Sequence, residues 1–284
     1  MKGRIYHMSV IEAIIFGIVQ GITEFLPISS TAHIVITQIL LGYSFPGFGF
    51  EIYLHFASIL AVVIYFRQDL VEVIRGFLGY FANRSRYNRT QFFFGLYIIV
   101  ATGITGVLGM LLEDFVGASL KTPPFMAIAL AVTGFFLIVI ERFVRYGNRT
   151  ERDMTFRDSI IVGLGQTLAV IPGISRSGAT LITALFAGLS RDTAVRYSFL
   201  LSIPVILGSS VLAIGDFRDG AMVSEVGVLA LVVSFIVTFI FSWLGIVWLI
   251  DFLKKSKLVY FAIYCFAAAI FVYFFLDNSM IIEL

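Results

Sequence analysis

The stretch Ile11–Leu41, IEAIIFGIVQGITEFLPISSTAHIVITQILL, is apolar along both flanks and interrupted in its middle by Pro27-Ile28-Ser29-Ser30. Each flank runs to only about 10–15 residues, short of the roughly 20 that a helix needs to cross a bilayer core. Proline removes a backbone donor, so the interruption suits the tip of a re-entrant hairpin, where irregular backbone is buried inside protein. The same design recurs in Ser159–Leu189, SIIVGLGQTLAVIPGISRSGATLITALFAGL, interrupted by Pro172-Gly173-Ile174-Ser175-Arg176-Ser177. Gly17, Gln20, Ile28 and Ser29 match Gly163, Gln166, Ile174 and Ser175 at one constant offset without a gap.

Outward from these two segments, apolar runs are long. No charged residue interrupts Gly95–Leu112, Phe125–Ile140, Val226–Ile250 or Val259–Leu276. Hydrophobic residues fill 59% of the 284 positions and charged ones 13%, too few to cover a water-soluble surface, so the solvent is lipid. Six spans are expected near 50–66, 92–112, 124–143, 196–214, 226–250 and 258–276. The reading is an all-α integral membrane protein: one membrane domain, 1–284, with six transmembrane helices and two re-entrant helical hairpins, 11–41 and 159–189. A hairpin and three spans make each half, 8–143 and 159–276, and an odd span count inverts one half relative to the other.

Charge fits that plan. Arg67, Arg75, Arg84, Arg86 and Arg89 share one loop region, five arginines lie in 142–157, and Lys254, Lys255 and Lys257 follow the fifth span. The opposite loops carry Glu113 and Asp114, or Asp216, Asp219 and Glu225. The positive-inside rule places the basic loops in the cytoplasm and the C-terminus outside, with Lys2 and Arg4 a mild departure. Hairpin one then dips in from outside and hairpin two from inside, so that their tips meet near the midplane. A dispersed net charge of +2 gives no footprint for nucleic acid, and the lone Cys265 excludes a disulfide framework. The first apolar stretch contains Gln20 and Glu24 and lacks a small-residue cleavage pattern, so it reads as structure rather than as a leader.

The tips carry the chemistry. Gln20 and Glu24 are four apart on one helix face, and Ser30 and His33 are three apart at the start of the next half-helix. Backbone N–H groups at that helix start favour an anion. Ionisable groups at membrane depth are costly, which makes Glu24 and His33 functional candidates. Ser175, Arg176, Ser177 and Thr180 form the second tip, and a guanidinium in an apolar hairpin needs an anionic partner; its planar fork suits phosphate oxygens. A carboxylate, a hydroxyl, an imidazole and an arginine together suit phosphoryl transfer. Blander readings exist: serines can bond helix carbonyls, and Glu24 and Arg176 could simply neutralise one another. His55, inside an apolar run, reads as a satisfied core or interface residue, and Glu51 has no clear place.

Gln20 to His33, QGITEFLPISSTAH, resembles the first signature of bacterial undecaprenyl-diphosphate phosphatases, the bacitracin-resistance family, and Pro172 to Thr180, PGISRSGAT, resembles their second. Phe50-Glu51-Ile52 and Tyr197 to Pro204, YSFLLSIP, also fit, so the resemblance spans nearly the whole chain. It implies hydrolysis of undecaprenyl diphosphate to the monophosphate and phosphate, recycling the carrier lipid for cell-wall synthesis. It also implies a divalent cation, Mg2+ or Ca2+, and a site at the outer side of the bacterial cytoplasmic membrane. Carried onto this chain, Glu24 is the essential acid and metal ligand, Ser30 the nucleophile, His33 its proton partner and Arg176 the phosphate clamp. Gln20, Ser29, Thr31, Gln166, Gly173, Ser175, Ser177 and Thr180 are expected to contact substrate. Gln20 stands where some members carry a second glutamate, which shifts the burden to Glu24, and Ala32 replaces a glycine. A homodimer is compatible with this reading. The main rival is a transporter or flippase of polyprenyl phosphates, since paired hairpins and inverted repeats are also a transporter plan.

Overall fold

Ser9 and Glu12 start the first helix by bonding each other's backbone: Glu12 Oε2 accepts from Ser9 N at 2.8 Å and Ser9 Oγ from Glu12 N at 3.3 Å. This capping box launches α1 (Val10–Thr23), which ends ahead of Pro27. The computed structural model describes residues 8–43, 49–116, 120, 122–144, 147–212, 221–255 and 257–276. Within them the order continues with α2 (Ser30–Leu41), α3 (Gly49–Tyr65), α4 (Arg67–Ala82), α5 (Arg86–Val116) and α6 (Pro123–Phe143). The second half holds α7 (Phe156–Thr167), α8 (Arg176–Phe186), α9 (Arg191–Leu212), α10 (Ala221–Val226), α11 (Val228–Lys255) and α12 (Val259–Phe275). No strand occurs among the described residues beyond a single bridge between Arg149 and Leu189. Lys2, Arg4, Arg145, Asp216 and Asp219 lie outside the described residues.

Four helices, α5, α6, α9 and α11, are long and apolar enough to cross a membrane. The run near 50–66 does not stand alone. After α3 the chain bends by 74° into α4, and the pair counts as one broken span or a re-entrant turn. The reason lies at Arg67, where the apolar run stops and Nη1 donates back to the Ile64 carbonyl at 3.0 Å. The run near 258–276 forms α12, an apolar helix of 17 residues, about 25 Å long. By length and composition the count is therefore four spans, or five with the bent pair, where the sequence led to six. Large apolar side chains such as Ile11, Phe143, Phe186 and Phe274 remain exposed on the outer surface, as suits a protein bathed in lipid.

Small residues bring the broken helices close to their supports. A Cβ on Gly21 would lie 2.7 Å from Phe241 Cβ and 2.8 Å from Ser242 N, so α1 and α11 meet at nearly backbone distance. Gly163 does the same for α7 against Ala101 and Ile104 of α5. A box at Thr155 and Asp158 starts α7, and Arg149 ties that start down, donating to Asp158 Oδ1 at 3.0 Å and to the Ala187 carbonyl at 2.8 Å. Elsewhere on this side Arg196 bonds Asp69 at 2.6 Å and Glu72 at 3.5 Å, joining α9 to α4. The largest apolar cluster surrounds the first tip itself, with Phe25, Leu26 and Ile28 packed among residues of α3, α8, α9, α11 and α12. A break in a helix is thus held by a rigid surround.

Candidate active site

Glu24 follows the last turn of α1 and still donates its N–H to the Gln20 carbonyl at 3.0 Å. The chain then turns through Phe25–Ile28 and re-enters a helix at Ser30, with Ser29 as the N-cap and its Oγ accepting from Ala32 N at 3.3 Å. In the second break α7 gives way to a 3-10 turn, Leu168–Val170, and the chain reverses at Gly173, φ 91°. A Cβ there would lie 2.8 Å from Ala129 Cβ of α6, so the turn needs glycine for both conformation and space. Ser175 caps α8, its Oγ accepting from Gly178 N at 3.1 Å.

The two tips touch. Ser177 Oγ donates to the Leu26 carbonyl at 2.9 Å, and Ser175 Oγ to the same carbonyl at 3.4 Å. Arg176 Nη2 bonds Glu24 Oε1, an ion pair between a carboxylate 1% exposed and a guanidinium 19% exposed. The other carboxylate oxygen, Oε2, accepts from Ser30 Oγ at 2.7 Å, from Gln20 Nε2 at 2.8 Å and from His55 Nε2 at 3.0 Å. Glu24 is therefore the hub on which both tips and α3 converge.

Beside this hub opens a cavity of about 170 Å³. Glu24, Ser30, His55 and Arg176 line it, with Ser29, Thr31, Ser175 and Ser209 adding small polar groups and Val205 and Ile206 an apolar wall. α2 and α8 both begin at this cavity; Ser29 and Ser175 cap Ala32 N and Gly178 N, and the partial positive charge of two helix starts faces one space. Such a space suits a phosphate. A smaller cavity of about 20 Å³ also borders Arg176, with Ser177, Thr180, Ser198 and Gln166 in its lining.

Among the residues singled out in the sequence, Glu24, Ser30, Arg176, Gln20, Ser29, Thr31 and Ser175 come together at the hub or the main cavity. Ser177 belongs to the contact between the tips and to the smaller cavity. Thr180 is committed to the Arg176 carbonyl at 3.0 Å and to Ser198, and Gln166 Nε2 to Thr105 Oγ1 at 2.9 Å, so neither reaches the main cavity. Gly173 shapes the turn against α6. His33 does not meet Ser30. Its Nδ1 bonds the Ser29 carbonyl and its Nε2 the Tyr264 hydroxyl, each at 2.7 Å. The imidazole that does enter the site is His55, which in the sequence reads as a satisfied core or interface residue. One signal pointed to it: Glu51 and His55 are four apart in an apolar run, two ionisable groups on one helix face.

Comparison with known proteins gives a consistent result. Residues 13–271 match the family described as bacitracin resistance protein BacA. The chain is 74% identical over 277 residues to undecaprenyl-diphosphatase 2 of Halalkalibacterium halodurans, covering 98% of this chain and 100% of that protein. It is 62% identical over 270 residues to undecaprenyl-diphosphatase 1 of Shouchella clausii, covering 95% and 98%. Undecaprenyl-diphosphatase 1 of Bacillus cereus is 39% identical over 267 residues, covering 94% and 98%.

Proposed function

The chain belongs to the bacitracin resistance protein BacA family, and from this we infer that it hydrolyses undecaprenyl diphosphate to undecaprenyl phosphate and phosphate. The reaction returns the carrier lipid to cell-wall synthesis and underlies bacitracin resistance. The observation that carries the mechanism is the Ser30–Glu24 hydrogen bond at the foot of a donor-lined cavity. A hydroxyl that already donates its hydrogen bond to a carboxylate is poised to give up that proton as it attacks.

The terminal phosphate binds at the first turns of α2 and α8, and Arg176 exchanges Glu24 for phosphate oxygens. Ser30 Oγ attacks the terminal phosphorus while its proton passes to Glu24 Oε2. The bridging P–O bond breaks, and its electron pair leaves on undecaprenyl phosphate. Water then attacks the Ser30 phosphoester, Glu24 returns the proton to Oγ, and the water's second proton leaves with the phosphate. Gln20 and His55 hold the carboxylate in line by donating to the same oxygen as Ser30. The prenyl tail lies laterally between helices, in lipid.

Among the described residues no group of three His, Cys, Asp or Glu side chains could hold a metal ion, and Glu24 is the one carboxylate at the cavity. Magnesium is commonly held by one or two carboxylates together with substrate phosphates, and this donor set fits that pattern. Mg2+ or Ca2+ would be held by Glu24 and the diphosphate oxygens, neutralising charge that a single guanidinium does not balance.

The two halves form an inverted repeat in a multi-pass protein of the bacterial cytoplasmic membrane, with six spans, basic loops inside and the cavity open to the outer side. The helix packing supports the repeat, and the placement of the basic loops rests on the positive-inside rule. α1 rests on α11 as α7 rests on α5, α3 meets α11 as α9 meets α5, and α3–α9 and α6–α12 pair across the halves. Each partner is the one that exchange of the halves requires.

Phosphate release from a C55 prenyl diphosphate by purified protein tests the assignment. Release is expected to stop with EDTA and to return with Mg2+ or Ca2+. Ser30→Ala is expected to lose on the order of 10³-fold or more in kcat. Full activity in Ser30→Ala would remove the nucleophile, and no release from folded protein under any cation would favour lipid transport.

A further inference from the structure

Ser29 is, among the described residues, the one non-glycine position with a positive φ (φ 68°, ψ 99°), and it immediately precedes Ser30. Residues with a Cβ seldom adopt such a backbone, and it persists where the surroundings over-determine it. The second tip offers a comparison within the same molecule. There the positive φ falls on Gly173, and the N-cap Ser175 is ordinary, at φ −73° and ψ 119°. The first tip thus imposes on a serine what the second gives to a glycine.

Ser29 Oγ caps Ala32 N at 3.3 Å, and the other contacts that hold Ser29 pass through its carbonyl. The carbonyl accepts from His33 N at a long 3.4 Å, and from His33 Nδ1 at 2.7 Å. A carbonyl can only accept, so Nδ1 carries the proton and Nε2 of the neutral ring is an acceptor. Nε2 takes the Tyr264 hydroxyl at 2.7 Å, and the two rings stack at 5.6 Å with 14° between their planes. Both ring nitrogens are therefore committed, while the Ser30 proton goes to Glu24. Tyr264 sits on α12, so the last of the described helices braces a turn of the first tip.

We propose that His33 and Tyr264 are a positioning pair, which grips the Ser29 carbonyl and so fixes the turn that aims Ser30 Oγ at Glu24. The proposal rests on Ser30 being the nucleophile. In this role the imidazole carries no proton for the reaction. It sets direction, and a small misdirection of a nucleophile is costly in rate.

The experiment measures kcat and KM for phosphate release by purified variants. Tyr264→Phe removes one hydroxyl and is expected to lower kcat about tenfold with KM within about twofold, since phosphate binding is untouched. His33→Asn keeps a donor near the place of Nδ1 but cannot pass a proton, and it is expected to match Tyr264→Phe. The deciding background is Ser29→Gly, where the backbone adopts its conformation without a brace. In that background, Tyr264→Phe is expected to cost less than about twofold relative to Ser29→Gly alone. An equal loss on both backgrounds overturns the proposal, as does His33→Asn being as inactive as Ser30→Ala. Wild-type turnover in Ser30→Ala instead overturns the nucleophile assignment, whatever the coupling between Tyr264 and position 29.

Discussion

Glu24→Gln is expected to lower kcat on the order of 10³-fold, because it removes the acceptor of the Ser30 proton while nearly preserving shape. Gln20, Ser30 and His55 all donate to Oε2, and Arg176 pairs with Oε1. A carboxamide at this position can accept through one atom only and offers no charge to Arg176. The substitution therefore also leaves a guanidinium without its partner, and breaking a buried pair from one side typically costs about 3–5 kcal/mol. Here the cost should fall toward the low end, since Arg176 borders the cavity. Measuring kcat beside the thermal midpoint separates the two effects. If Glu24 and Arg176 were a structural pair alone, the midpoint would fall and turnover per folded molecule would persist.

Arg176→Lys is the second large effect, with an expected loss on the order of 10²–10³-fold in kcat/KM despite the retained charge. The guanidinium lines both cavities, meets Glu24 through Nη2 and reaches toward the Ser202 carbonyl through Nη1 at 3.5 Å. A planar fork can release Glu24 and take two phosphate oxygens from the same position, whereas an ammonium is a single point of charge. Arg176→Lys should therefore retain most of the thermal stability and lose most of the activity. Lysine supporting near-normal kcat/KM would show that charge alone suffices at this position.

Much of this arrangement is visible in the residues. Proline, glycine and serine in the middle of apolar runs announce both tips: proline removes a donor, glycine relaxes the backbone and serine offers a hydroxyl to cap the next helix, where a span would need a continuous helix. Glu24, Ser30 and Arg176 stand out because polar groups in such surroundings are expensive. What stayed hidden depends on distance along the chain. His55 lies 31 positions from Glu24, and only the packing of α3 against the first tip joins them. Ser30 and His33 share a helix face by spacing, yet the turn at Ser29 sends one side chain to Glu24 and the other to Tyr264. Gln166 matches Gln20 in the repeat, but Thr105 of α5 takes its amide, so the second tip lends the main cavity its arginine and not its glutamine. The bend between α3 and α4 was marked only by the polar residues that begin at Arg67.

Catalysis by this site requires a bond between Ser30 Oγ and phosphorus, and acid quenching of a single turnover on C55 prenyl diphosphate, followed by mass analysis of the Ser30 peptide, tests for it most directly. The mechanism predicts phosphoserine at Ser30 that rises and decays within the first turnover and is absent from Ser30→Ala. Stoichiometric phosphate release without any phosphorylated Ser30 at any quench time would contradict it, leaving water as the attacking group.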